Sequence, residues 1–226
     1  MKKFFLLSLT FLLAFFVLPI NAQVKLGLQG GVNLADVSLD PTPTGYETGI
    51  KTRLMFGGIV NYNFSPLLGI QVEPAYIQKG STFDLTTVED GVNIKGEGTF
   101  SANYIDIPVL LKVTFGSIQV KPFLLAGVSV AFLLGDAKYN FDKVTANGQD
   151  VTNMLTAEQK EQVQKMKSTD FVLNLGGGVM IPVGVVDIFI EGQYNLGLTN
   201  VNDEPGDNTK IKTKGIQIKA GALYSL

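Results

Sequence analysis

The sequence predicts an all-β chain: an eight-stranded antiparallel up-and-down transmembrane β-barrel with long extracellular loops and short periplasmic turns. Three observations predict it. Eight segments alternate apolar and polar residues with period two, the mark of a strand with two different faces. The connections between them alternate between tight turns and long polar loops, the plan of an outer-membrane barrel with both termini on the short-turn, periplasmic side. A leader-like segment precedes the first of them.

The leader comes first along the chain. Met1-Lys2-Lys3 is a basic start, Phe4 to Ile20 is apolar, Pro19 breaks the run, and Ile20-Asn21-Ala22 offers a small residue for cleavage. We read residues 1–22 as a secretory signal peptide cut after Ala22, and 23–226 as one barrel domain. The alternative is an uncleaved anchor, although a spanning helix wants about 20 apolar residues. Gln23 follows the cut where a lipoprotein would have Cys.

The strand-like segments are 24–36, 52–64, 68–83, 99–115, 118–136, 169–183, 186–200 and 210–226. In the first, Val24, Leu26, Leu28, Val32 and Leu34 oppose Lys25, Gln29 and Asn33. In the third, Leu68, Ile70, Val72 and Tyr76 oppose Gln71, Glu73 and Lys79; in the seventh, Ile188, Ile190, Tyr194, Leu196 and Leu198 oppose Glu191, Gln193 and Asn195. The fourth and fifth are the longest. Ile105, Ile107, Val109, Leu111, Val113 and Phe115 form one column, with Tyr104, Asp106 and Lys112 behind it. After Gly116-Ser117 come Ile118, Val120, Leu124, Val128, Val130 and Phe132, with Gln119, Lys121 and Ser129 behind. A two-residue turn there pairs Phe115 with Ile118, Val113 with Val120 and Lys112 with Lys121. Unbroken apolar columns backed by charges and amides describe an inside-out pair, lipid on one side and a polar interior on the other.

Ser65-Pro66-Leu67, Gly116-Ser117 and Gly184-Val185 are the tight turns; 37–51, 84–98, 137–168 and 201–209 are the long loops. Thr156 with Gln159 three residues on predicts a capped, polar helix over 156–167. The acidic run Asp203 to Asn208 reads first as a turn, with weak Ca²⁺ binding as its alternative; it lacks EF-hand spacing. Gly176-Gly177-Gly178 lies inside a strand and so relieves crowding in a narrow barrel, not a phosphate's approach.

Composition narrows the function. The chain has no Cys and no His, which removes disulfides, thiol nucleophiles, Ser-His-Asp chemistry and most transition-metal sites. Without Lys2 and Lys3 its 18 basic residues fall to 16 against 20 acidic ones, a net charge of −4 that argues against nucleic acid. We therefore expect no enzyme activity, no cofactor and no metal site. A carboxylate-only hydrolase or acyltransferase through Asp106, Glu73 or Glu191 is the enzymatic alternative, and a secreted soluble ligand-binding barrel is another.

Lys25-Leu26-Gly27-Leu28-Gln29-Gly30-Gly31-Val32-Asn33-Leu34, the run Glu73-Pro74-Ala75-Tyr76-Ile77-Gln78-Lys79-Gly80, Tyr104-Ile105-Asp106-Ile107-Pro108, and the segment from Lys121-Pro122-Phe123 to Gly127 carry a family resemblance. With these motifs the chain resembles the Bacteroidota-type outer-membrane β-barrel family, often called porin-family or PorT-like. The resemblance implies an integral outer-membrane barrel in a Gram-negative envelope and no single activity; one branch is associated with type IX secretion. The C-terminal Gly221, Tyr224 and Leu226 are similar to a barrel-assembly signal, with Leu in place of the commoner Phe. The partners implied are outer-membrane lipid, the barrel-assembly machinery, and an extracellular or envelope protein at the loops. Eight strands leave a lumen that side chains fill, so a general diffusion pore is not expected.

The lumen is expected to hold a polar network in its periplasmic half: Lys25, Glu73, Asp106, Lys112, Lys121, Glu191 and Lys219, with Gln71, Gln119, Gln193 and Gln217 completing its hydrogen bonds. In that reading Glu73 and Glu191 bridge Lys112 and Lys121, because buried like charges need partners.

Intact mass of the membrane-extracted protein checks the leader. We expect a chain beginning at Gln23; a chain that retains Met1 to Ala22 would overturn the secretory reading.

Overall fold

The computed structural model describes residues 23–116 and 119–226; the leader and the centre of the 116–119 turn lie outside the described residues. Twelve strands form one antiparallel sheet: β1 (Gln23–Asp40), β2 (Tyr46–Gly49), β3 (Lys51–Asn63), β4 (Leu68–Val72), β5 (Ala75–Glu89), β6 (Val92–Thr114), β7 (Lys121–Ala146), β8 (Gln149–Asp150), β9 (Glu161–Gln164), β10 (Thr169–Val183), β11 (Val186–Gly197) and β12 (Lys210–Ser225). Consecutive long strands pair in order, and β1 pairs with β12 from Lys25↔Ser225 to Asp40↔Lys210. β6–β7 and β7–β10 complete the circuit, so the sheet returns on itself. β4 and β5 both lie between β3 and β6 and are parted only at Glu73-Pro74, where proline has no N–H for the ladder. The break is still bonded: Gly58 N donates to the Pro74 carbonyl at 2.9 Å and Glu73 N to that of Pro108 at 3.1 Å.

The alternation places its apolar columns outward. Leu28, Leu54, Phe56, Val109, Leu111, Leu124, Val128, Ile188, Ile190, Ile216 and Ile218 are all exposed, Leu28 at 75% and Val128 at 56%. Behind them, inward residues such as Gln29, Met55, Leu110, Leu125, Phe189 and Gln217 are buried. The outward apolar band runs from Leu26 to Leu34 on β1, Ile105 to Phe115 on β6, Ile188 to Leu198 beside β11 and Ile216 to Leu226 on β12. About 9–11 tilted residues cross a bilayer, so these runs match its hydrocarbon. A soluble carrier would turn these columns inward, and that alternative is set aside.

The tight hairpin differs from the expected register. Thr114 pairs with Phe123, Val113 with Leu124 and Lys112 with Leu125, so the connection between β6 and β7 spans 115–120 and is closed by Phe115 N donating to the Pro122 carbonyl at 2.7 Å. The pairings Val113–Val120 and Lys112–Lys121 are not formed, and Phe115–Ile118 lies outside the described residues. The shift moves each partner by four residues, an even number, so every side chain keeps its face. It also spares the lumen two opposed lysines and moves Pro122 from the ladder interior to its end.

The long-loop end differs more. Residues 84–98 are a hairpin whose strands run to a turn at Asp90-Gly91, both with positive φ (50° and 78°), a conformation that favours Gly, Asn and Asp. β6 and β7 reach 23 and 26 residues. The expected helix over 156–167 shrinks to α1 (Ala157–Lys160), a single turn with both capping-box bonds formed by Thr156 and Gln159; residues 161–164 pair with β7 as β9 instead. Strand pairing wins because a polar four-to-twelve-residue helix has no apolar face to bury. A 3₁₀ turn (Thr152–Met154) precedes it.

Inside, two apolar clusters pack the sheet. Ile59, Leu110, Phe123, Leu125, Met180, Phe189 and Leu223 lie toward the short-turn end; Val37, Met55, Ile77, Phe100, Tyr104, Val201 and Ile211 lie toward the long-hairpin end. Glycines make room for the inner rings. A Cβ at Gly221 would stand 2.7 Å from the Phe189 ring, and one at Gly178 2.7 Å from that of Phe123.

The face assignment is checked by charge. Val128→Lys, on the lipid face near mid-height, is expected to cost about 2–4 kcal/mol in a urea titration of the lipid-folded protein. Gln119→Lys, in the exposed turn, is expected to cost about 0–1 kcal/mol. Equal costs would contradict the orientation of β7.

Candidate functional site: a sealed polar lumen

The strand break at Glu73-Pro74 sets the site. It leaves Glu73 pointing inward at 1% exposure, facing β12 across the interior. Lys219 Nζ donates to Glu73 Oε2 at 2.5 Å and lies 2.8 Å from Glu191 Oε1; all three side chains are 0–1% exposed. Glu191 and Lys219 are direct partners in the β11–β12 ladder, so this contact is local, whereas Glu73 arrives from a strand 146 positions away in sequence. Amides complete the cluster. Gln71 Nε2 donates to Glu73 Oε1 at 2.5 Å, and Gln193 Nε2 to Glu191 Oε1 at 3.1 Å. Lys112 Nζ donates to Gln71 Oε1 at 2.8 Å and stands 4.3 Å from the centre of the Phe123 ring, a cation–π position.

Two further ion pairs extend the network. Lys25 pairs with Asp187 near the short-turn rim. Farther toward the long-hairpin end, Lys79 Nζ donates to Asp170 Oδ2 at 3.0 Å and to Thr213 Oγ1 at 3.4 Å, with the Tyr104 ring 4.8 Å away. Asn195 donates to Gln193 Oε1 at 3.3 Å and to Asn174 Oδ1. A cavity of about 10 Å³, room for roughly one water, lies among Asn33, Lys79, Asp106, Asn195, Thr213 and Gln217.

The seven residues expected in the network are placed as follows. Lys219, Glu73 and Glu191 meet; Lys112 reaches them through Gln71; Lys25 pairs with Asp187 instead. Asp106 is buried, but its Oδ1 has no hydrogen-bond partner among the described residues. Lys121 is a correction: it is half-buried at the start of β7, opposite Met180, with no ion pair among the described residues. Glu73 and Glu191 therefore do not bridge Lys112 and Lys121; both turn to Lys219. The register accounts for this, because the longer connection carries Lys121 to the rim. Gln119 goes with it and is exposed, while Gln71, Gln193 and Gln217 are buried. Asp187, Lys79 and Asp170 were missed as network members, although each holds an inward-parity position on its strand. Of the C-terminal signal residues, Gly221 accommodates Phe189, and Tyr224 and Leu226 point outward. The acidic turn 203–208 is held by its own bonds: Thr209 N and Asn202 Nδ2 donate to Asp207 at 2.8 and 2.9 Å. Those bonds keep the Asp207 carboxyl below the usual carboxylate range. Among the described residues, no cluster of acidic side chains suits a metal ion.

A closed antiparallel sheet with an apolar outer band and a charged interior has relatives. A family profile described as outer membrane protein beta-barrel domain matches residues 21–203. The chain belongs to this outer-membrane β-barrel family. Solved structures share the fold at low identity. OprG from Pseudomonas aeruginosa is 15% identical, with 91% of this chain and 95% of that one aligned at a TM-score of 0.55. The outer membrane protease OmpT from Escherichia coli is 8% identical, with 90% and 97% aligned at 0.52. Neisserial surface protein A is 16% identical, with 90% and 96% aligned at 0.45. A search of curated protein sequences found no match. As a member of the family, the chain is an all-β antiparallel barrel of the outer membrane.

Removing one partner of a buried pair strands the other charge, which costs about 3–5 kcal/mol, whereas removing both costs less. A double-mutant cycle of Glu73→Gln and Lys219→Met, read by unfolding in lipid, is expected to be strongly non-additive. The cycle of Glu73→Gln with Lys121→Met is expected to be additive within about 0.5 kcal/mol. Additivity in the first cycle would contradict the Lys219 centre.

Proposed function

We propose that the chain is a closed, non-conducting, non-enzymatic eight-stranded barrel that holds a β-platform outside the cell for binding. The count of eight treats β4 and β5 as one interrupted strand and sets β2, β8 and β9 outside the ring. Both termini and the turns at 65–67, 116–119 and 184–185 then face the periplasm.

The observation that carries the reading is the extension of β5, β6 and β7 past the apolar band. Their outer halves pair, Thr82↔Thr99 to Glu89↔Val92 between β5 and β6 and Ile94↔Ala146 to Ser101↔Lys138 between β6 and β7, the latter with one register shift between Glu97↔Lys143 and Gly98↔Phe141. Aromatic rings fasten them. Phe83 stacks on Tyr46 at 5.8 Å between centroids and meets Tyr139 and Phe141 edge-on at 5.4 and 5.2 Å; Phe100 and Tyr139 lie 4.9 Å apart. Burial raises the Tyr46 phenol above its ordinary value, so it stays a neutral hydroxyl in this packing. A two-stranded ribbon alone is marginal in water. Three strands with an aromatic face make a stiff surface, which supports a binding role. Exposed Val88, Met154 and Val163 lie on this part of the chain.

Lumenal packing supports the absence of conduction: apolar clusters lie on both sides of the Lys219–Glu73–Glu191 group. The lack of His and Cys supports a non-enzymatic role, even though OmpT is a protease with the same fold. The secretion-associated role rests on the family resemblance alone.

Protease added to intact cells is expected to nick the chain between residues 147 and 156 and to spare the turns at 65–67 and 184–185. Planar bilayers carrying the protein are expected to show no stable open conductance. Cleavage only after the outer membrane is permeabilised would reverse the orientation, and a steady conductance would overturn the closed lumen.

A further inference from the structure

We propose that the water-sized cavity of the lumen is a binding site for one monovalent metal cation, held by Asp106, Asn33 and Asn195. These residues come from β6, β1 and β11, three strands that share no ladder, and all three line the same space of about 10 Å³. They are 3%, 3% and 7% exposed. Each has a buried Oδ1 without a hydrogen-bond partner among the described residues. The amide nitrogens are engaged: Asn33 Nδ2 donates to the Gln78 carbonyl at 3.0 Å, and Asn195 Nδ2 to Gln193 Oε1 at 3.3 Å. These three residues therefore bring acceptor oxygens to the cavity wall, and one of them is a carboxylate.

Charge selects the ligand. Among the buried side chains, Lys25, Lys79, Lys112 and Lys219 stand against five carboxylates: Glu73, Asp106, Asp170, Asp187 and Glu191. Asp187 pairs with Lys25, Asp170 with Lys79, and Glu73 and Glu191 with Lys219; Asp106 has no ion pair among the described residues. The cations nearest the cavity are committed elsewhere. Lys79 Nζ is held by Asp170 and Thr213, and Lys214 by Asp36 at 3.0 Å. Arg53, opposite Asn33 in the β1–β3 ladder, donates to the Phe100 carbonyl at 3.2 Å. An isolated carboxylate in such an interior is costly. One positive charge offsets it and two overshoot. A divalent ion also asks for about six or more oxygens or a shell of waters, for which a one-water cavity has no room. A water brings two hydrogens to three oxygens, and no charge. A bare alkali ion meets all three oxygens through one centre, a hard cation on hard ligands. One carboxylate with two amides is not an acidic cluster, which is why counting acids alone passes this site by. Bound there, the ion cross-links three walls of the barrel.

The inference uses the packed lumen and is independent of which rim faces the cell exterior. Its test is reversible urea unfolding of the mature protein in zwitterionic micelles, across a series of sodium chloride concentrations made up to constant ionic strength with choline chloride. One bound ion lowers the unfolding constant about ten-fold for each ten-fold rise in sodium above saturation. We expect that dependence in the unmodified protein and none in Asp106→Asn, where the charge is gone. Asn195→Ser withdraws one oxygen and keeps a polar side chain; it is expected to move saturation to about ten-fold higher sodium, and it serves as the variant if Asp106→Asn does not fold. Glu161→Gln removes a carboxylate from an exposed ion pair and is expected to leave the dependence unchanged. Equal stability of the unmodified protein in sodium and in choline would overturn the proposal and leave the cavity to water or a proton. So would a sodium dependence that persists in Asp106→Asn, an unshifted saturation in Asn195→Ser, or an equal loss in Glu161→Gln.

Discussion

A charged side chain sealed inside a narrow sheet has to find its counter-charge there, and Lys219 finds two. The Coulomb attraction between ammonium and carboxylate strengthens as water is removed, but the desolvation penalty grows with it. The balance is favourable only if the remaining donors and acceptors are met, which is what Gln71 and Gln193 do for Glu73 and Glu191. The arrangement also ties β12 and β11 to the strand break between β4 and β5. It thus joins parts of the wall that share no ladder, and the break itself is tolerated because Glu73 is anchored from the opposite side.

The layering follows from the same constraint. Hydrocarbon outside forbids unpaired backbone, so the sheet must close. Closure at this size brings inward side chains into contact, and they pack as in a soluble core, with apolar clusters toward both ends, the Lys219 group between them and Lys25–Asp187 near the short-turn rim. Lys112 and Lys79 gain aromatic faces in addition to their oxygen partners. Past the band, water returns and the strands continue as a platform stapled by rings. The same chain therefore changes its inside–outside logic once, beyond the apolar band, where Lys214 and Asp36 form their pair.

Much of this was legible in the residues. Period-two alternation fixes which face each side chain takes, and it does so for Leu124, Val128, Glu191 and Gln193 regardless of register. It also marks Asp187 and Asp170 as inward. Cross-lumen partners were not legible. Whether Glu73 meets Lys112 or Lys219 depends on strand tilt and closure, which no local pattern encodes. The turn after Phe115 was misjudged because Gly116-Ser117 resembles a two-residue connection, while Pro122 and the Lys112–Lys121 clash argue for a longer one. Loops 84–98 and 137–168 are polar by composition, yet Thr, Val, Tyr and Phe recur in them, and strand pairing takes them over.

The central claim is that Lys219 is held by both Glu73 and Glu191 within a closed lumen. Solid-state NMR of the protein in lipid, with ¹⁵N-labelled lysine and ¹³C-labelled glutamate carboxylates, tests it directly through dipolar dephasing of the Lys219 Nζ signal. The account predicts strong dephasing that weakens in part with Glu73→Gln, in part with Glu191→Gln, and disappears with both. A Lys219 signal that exchanges with water and shows no carboxylate coupling would contradict it.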